Sequence, residues 1–174
     1  MTISGALLER RVEIYQWEER ESSQTKENLG GGTTTTKTYS YEKVWSEKLI
    51  DASRFAEQGK YSNPTQMMYS AEDFQDRDFT LGAFRLSQDF LNSLPTGKTL
   101  NLGSQTLTLG TGMTLQGDTI FIGKNPTIPE IGDMRISYRA LENGEVLSVI
   151  AAQNPNAVLS PYQAKNKTLE RISL

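Results

Sequence analysis

The stretch LLERRVEIYQWEERESSQTKENLGGGTTTTKTYSYEKVWSEKLI, Leu7 to Ile50, decides the fold. Its beginning, through Trp17, and its end, from Thr33, mix alternation with β-branched and aromatic residues, the pattern of half-buried strands. Between them, EERESSQTKENLGGG is polar and ends in three glycines, which tolerate the positive φ of tight turns. One long antiparallel hairpin over 7–50 follows. With its turn centred on Gly31, Trp17 faces Trp45 and Tyr15 faces Glu47, and Tyr15, Trp17, Tyr39, Tyr41 and Trp45 share one face. A slip of two residues keeps that face. Arms of about 17 residues at roughly 3.3 Å each reach about 55 Å, further than a domain of this size can cover. The tip, Glu18–Lys26 and Thr33–Lys37, has no apolar side chain to bury, so it is expected to project, as a mobile end or as an arm that meets a partner.

Outward from the hairpin, DASRFAEQG predicts a short helix capped by Asp51 and stopped at Gly59, and SQDFLNSLP another from Ser87 to Pro95. DFTLGAFRLS reads as a strand with a bulge at Gly82. TLNLGSQTLTLGTGMTLQGDTIFIG, Thr99 to Gly123, has the glycine punctuation of a meander. DMRISYRAL and EVLSVIAAQ flank Asn143-Gly144, the signal of a second hairpin with a type I′ turn. The fold class is therefore mainly β, antiparallel hairpins and meander with two or three short surface helices. Nothing in the element order suggests βαβ units, and a closed barrel and an open sandwich both fit.

At 174 residues the chain fits one domain, and 36% hydrophobic with 22% charged residues is the composition of a folding globular chain. The 21 acidic and 18 basic residues are dispersed, with no Lys/Arg cluster to neutralise a run of phosphates, so no nucleic-acid partner is expected. The sequence holds no cysteine and no histidine, which removes disulfides, thiol nucleophiles, the usual zinc ligands and the commonest general base. No stretch approaches the roughly 20 apolar residues of a membrane span, and Met1–Leu8 lacks signal-peptide character. Both ends read as cuts, so 1–174 is expected to be one extramembrane domain excised from a longer protein.

Motifs for chemistry are weak. Pro95–Thr99, PTGKT, ends like a phosphate-binding loop, but Asn92 stands where the first glycine is needed, and a helix end passing into a strand explains the residues more simply. Glu72, Asp73, Asp76 and Asp78 lack the glycine and closing glutamate of a calcium loop and read as a solvated turn. Glu47, Asp51, Glu130 and Asp133 offer carboxylates for a glycosidase, without any spacing that favours one. Asn166-Lys167-Thr168 is a glycosylation triplet of the kind chance supplies. No catalytic residue, metal or cofactor is expected.

Several segments together resemble the LUMA family of four-span membrane proteins: VEIYQWEE at Val12–Glu19, YSYEKVWSEKLIDASRF at Tyr39–Phe55, the Asn63-Pro64 pair, LGAFRLS at Leu81–Ser87 and NPTIPEIGDMRISY at Asn125–Tyr138. They occur in the family's order, and the glycine-rich turn is more similar to prokaryotic members. The departures lie mainly in Lys60–Asp78 and in the meander after Pro95. The resemblance implies the large hydrophilic domain between the first and second spans, held on the non-cytoplasmic side: the periplasm in a Gram-negative bacterium, the nuclear envelope or endoplasmic reticulum lumen in a eukaryote. It also implies membrane organisation without enzymatic activity, with emerin, lamins and self-association as the partners of animal members.

Three functions are weighed. The first is an assembly domain that contacts copies of itself or other membrane proteins, with Tyr15, Trp17, Tyr41 and Trp45 as interaction candidates whose competing role is packing. The second is a module for a glycan, lipid headgroup or peptide, which needs a concave aromatic pocket. The third is a carboxylate-dependent hydrolase, which needs two acids converging in a cleft.

Overall fold

The structure is a computed structural model and describes residues 4–164, 167–169 and 171–173, with Asn166 of the glycosylation triplet outside them. The main sheet is built on β1 (Gly5–Glu27) and β2 (Thr33–Ser46), which form the expected hairpin. The polar run after Trp17 is strand, so the turn shrinks to Asn28–Gly32. There the Asn28 N–H donates to Gly32 O, and Gly30 and Gly31 take positive φ. Lengthening β1 moves the centre of the turn back by one residue, and the register slips by two from the expected one. Tyr15 lies opposite Trp45, and Trp17 opposite Lys43.

Then come β3 (Glu72–Gln75), β4 (Thr80–Leu81), β5 (Phe84–Leu86), β6 (Lys98–Thr99), β7 (Met113–Gln116), β8 (Thr119–Ile122) and β9 (Met134–Glu142). The sheet order is β2-β1-β9-β8-β7, with β3 on β1 and β6 on β9. Beyond it, β10 (Ser148–Ile150) pairs β15 (Arg171–Ser173), and β13 (Tyr162–Ala164) pairs β14 (Lys167–Leu169). A small sheet joins β4, β5, β12 (Val158–Ser160) and β11 (Ala152–Asn154), where β12 and β5 form the one parallel pair among the described residues. The molecule is mainly antiparallel β with little helix, as the sequence predicts.

The helices are shorter than expected. Asp51 caps only a 3-10 turn, Ala52–Arg54, while Ser87 caps α1, Gln88–Asn92. Gly82, at φ 60°, is a tight turn between β4 and β5 rather than a bulge. The first half of the expected meander holds the end of β6 and a 3-10 turn, Leu102–Ser104, capped by Asn101, which deliver Leu100 and Leu102 to the core, and only β7 and β8 pair as a hairpin. The hairpin about Asn143-Gly144 does not form. The chain does turn, with Gly144 at φ 91°. However, β1 holds one edge of β9, and β6 and β8 hold the other, so a returning strand finds no free groups to pair with. Gly97 of the PTGKT run is required there, because a Cβ on it would stand 2.0 Å from the Ala140 carbonyl.

The core lies on the face of even-numbered β1 residues. Val12 and Ile14 pack with Leu100, Leu102, Ile120, Met134 and Ile136. A second cluster gathers Leu86, Phe90 and Leu91 under Leu159 and Val149.

Candidate functional site: the clasped root of the hairpin and its bare arm

The hairpin has two parts. Its root, from Val12 to Glu19 and from Tyr41 to Ser46, is covered on both faces. On the core face Gln16 is the one buried polar residue among those described, with no exposed surface. Its side-chain nitrogen donates to Lys48 O at 2.6 Å, and its oxygen accepts from Ile50 N–H at 3.0 Å. Burial of an amide costs little when both ends are bonded, and these bonds tie the segment after β2 back onto β1.

On the opposite face the sequence-named aromatics fall into two groups, all four half-buried against their own chain. Tyr15 and Trp45 pair at 5.0 Å, Trp45 meets Phe121 edge-on at 6.3 Å, and the Arg135 guanidinium lies 4.7 Å from the Trp45 ring. Arg135 also forks onto both Glu13 oxygens at 2.6 and 2.8 Å. The second group is Trp17 and Tyr41, bridged by Tyr61, which is 4.8 Å from Trp17 and stacked 4.1 Å from Tyr41, with Phe55 beside Tyr41. The Tyr41 hydroxyl donates to Glu19 at 2.7 Å, and desolvation, then this hydrogen bond, raises its pKa. Glu19 also accepts from Ala56 N–H at 2.5 Å.

One edge of β1 is sealed at the root. Tyr15 N–H donates to Asp133 O, and Tyr15 O accepts from Gly132 N–H. At Trp17 a side chain takes over where β9 has ended. Asn63 accepts from Trp17 N–H at 2.7 Å and donates to Trp17 O at 2.8 Å, as a neighbouring strand would, and reaches Ile50 O at 3.1 Å. Pro64 keeps Asn63 extended for this task. The segments that carry the family resemblance thus meet here: Val12–Glu19, Tyr39–Phe55, Asn63-Pro64 and Asn125–Tyr138. LGAFRLS alone lies elsewhere, in β4 and β5. Gln16, Phe55 and the Arg135–Glu13 fork lie within the segments that meet here, but no local pattern assigns them these roles, and Tyr61 lies in the run that departs from the family pattern; each gains its role from a segment distant in the chain.

From Arg20 outward nothing covers either face. Residues 20–38 are exposed throughout, and the register continues to Glu27 opposite Thr33, an arm of roughly 25 Å at 3.3 Å per residue. It is held by its own ladder and by surface pairs such as Lys37 with Glu21 at 2.9 Å, which lowers the Glu21 pKa. Arg20 also bridges Glu18 and Glu42.

Among the described residues no carboxylate is buried and no three potential metal ligands stand together. Asp133 accepts from Glu130 N–H, Glu47 faces Arg11 at 3.5 Å, and Asp51 caps its turn, with its pKa lowered first by the Ser53 hydroxyl. These acids have structural partners rather than each other. A cleft of about 710 Å³ runs beside the root between Leu49–Ser53 and Tyr61–Thr65, but its one aromatic, Tyr61, has a face already stacked on Tyr41.

The family model for transmembrane protein 43 matches residues 14–174. The chain belongs to the transmembrane protein 43 family. That agrees with the LUMA resemblance read from the sequence. Transmembrane protein 43 of mouse and of human are each 29% identical over 168 residues, and the Drosophila homolog is 27% identical over 159. The mouse and human matches cover 91% of this chain and 41% of the relative, so the chain spans about two fifths of their length. No solved structure matches it. This is a membrane-protein family by name, and no helix among the described residues is long and apolar enough to cross a membrane.

Proposed function

We propose that this chain is the non-catalytic extramembrane domain of a transmembrane protein 43 family member, held on the non-cytoplasmic side. It acts in membrane organisation by contacting copies of itself or other membrane proteins through its hairpin. The observation that carries this reading is the arm: a two-stranded ribbon with both faces and both outer edges bare, built on a root clasped from two sides. An isolated two-stranded ribbon is marginal in water, and an edge of unpaired N–H and C=O groups is a template for another chain. Acids engaged in caps and surface pairs favour this reading over hydrolysis, and the preoccupied Tyr61 face favours it over glycan stacking.

The test is the solution mass across a concentration series, for the chain and for a variant in which Glu21–Tyr39 is replaced by Asn-Gly. That replacement joins Arg20 to Ser40 and leaves the Glu19–Tyr41 clasp intact. The reading expects a concentration-dependent assembly that the excision abolishes; assembly at full strength without the arm overturns it.

A further inference from the structure

We infer that the free edge of β1 in the arm is complementary to the free edge of β2, from the arm down to Lys43 at the root, so that copies of this chain join heterologously, β1 of one against β2 of the next. The inference rests on the reading that the arm is a contact surface, and adds which surfaces meet and in what register.

Backbone direction comes first. In β1 the odd-numbered residues turn their N–H and C=O away from β2, as the bonds of Tyr15 to Asp133 and Gly132 and of Trp17 to Asn63 show. Strand alternation extends this to Glu21, Ser23, Thr25 and Glu27, where β9 and Asn63 no longer cover the edge. Because Thr25 lies opposite Thr35, the outward groups of β2 also belong to odd residues, from Thr33 to Trp45. A second copy in the same orientation presents its β1 antiparallel to this β2, with hydrogen-bonding residues opposite one another and odd side chains on a common face.

Charge then selects the register. The outward residues of the β1 edge include Glu21 and Glu27, and those of β2 include Lys37 and Lys43. Setting Glu21 opposite Lys43 brings Glu27 opposite Lys37 and Gln24 opposite Ser40, with no like charges facing. Pairing β2 with another β2 gains no such contact in any register, because its single acid, Glu42, lies on the face opposite both lysines. Opposite charges directly across a strand pair stabilise it, and like charges oppose it. Since the joining edges differ, each added copy leaves one edge free, and assembly proceeds beyond a dimer to a ring or chain.

The chain has no cysteine, so disulfide trapping is clean. Within one chain Gln24 faces Thr36, four residues from Ser40. That offset of roughly 13 Å is past the roughly 7 Å limit for a disulfide. The double variant Gln24→Cys/Ser40→Cys, under mild oxidation, is expected to give a reductant-sensitive ladder of dimers, trimers and larger species, and either single variant none. Independently, Lys37→Glu with Lys43→Glu is expected to raise the association midpoint at least tenfold, and adding Glu21→Lys with Glu27→Lys to restore it. Circular dichroism matching the parent shows that each variant is folded.

Absence of the ladder, cross-linking by either single cysteine alone, or failure of the charge exchange to restore assembly overturns the inference, as does a strict monomer across the series. If excision of the arm abolishes assembly while the ladder is absent, the edge register falls and the arm remains the contact. If excision leaves assembly intact, the reading beneath it falls.

Discussion

The root and the arm are consecutive stretches of the same two strands, joined by one continuous ladder, yet different physics holds them. At the root, Val12 and Ile14 are 1% exposed, Gln16 is closed off, and an aromatic layer covers the other face. A few residues further out, the same alternation carries Ser, Thr, Gln, Glu and Lys on both faces, and only the ladder and surface ion pairs remain. A strand has a buried face only where another segment lies on it. Segment 51–64 covers the outer face of the root and ends there, and β9 pairs with β1 no further than Ile14. Root stability therefore comes from distant segments, and arm stability from its own pairing.

That contrast can be broken at several points. The largest effect is expected from Ile14→Ala, at about 3 kcal/mol of lost stability for a buried aliphatic truncation, measured by urea unfolding; a loss no greater than that of an arm substitution such as Thr25→Ala would deny the root its role. Next, Gln16→Leu leaves Ile50 N–H without its partner and Lys48 O with the Ser46 hydroxyl alone, and is expected to cost about 2 kcal/mol by the same measurement. Asn63→Ala removes the mimic of a neighbouring strand; a loss of about 1–2 kcal/mol is expected, with faster amide exchange at Trp17 as its local signature. Replacing Glu21–Tyr39 by Asn-Gly is expected to change the unfolding free energy by less than about 0.5 kcal/mol, because no distant segment packs on what is removed.

The smallest effect concerns pH. The Lys37 ammonium holds the Glu21 carboxyl below its ordinary 4.5, so its contribution is present above that value and is lost as pH falls through the lowered folded value. The protection of arm amides, taken relative to intrinsic exchange at each pH, should therefore fall on acidification below about pH 4.5 while that of the root amides holds. An equal loss of protection in both would show that they open as one unit.

The hairpin, its aromatic face and its projection are legible from Leu7–Ile50, because alternation and glycine content are local properties of the chain. Register is less so: a shift of two residues leaves the same side chains on the same face, and it is the completed ladder, closed at the tip by the bonds between Asn28 and Gly31–Gly32, that holds the observed one. The Asn143-Gly144 signal shows the opposite failure. The turn chemistry is correct, but pairing depends on a vacant edge, which β1, β6 and β8 have taken.

By itself the sequence determined the strand character of the chain, the caps at Asp51 and Ser87, and the family, since each rests on residue identity and order over short spans. The tertiary structure alone decided which face of β1 enters the core, that Tyr61 and Phe55 close over the aromatics, that Asn63 seals the edge at Trp17, and where the hairpin becomes bare. Those outcomes depend on which distant segment reaches a given strand first. An edge or a face can be covered only once, and no local pattern records which segment covers it.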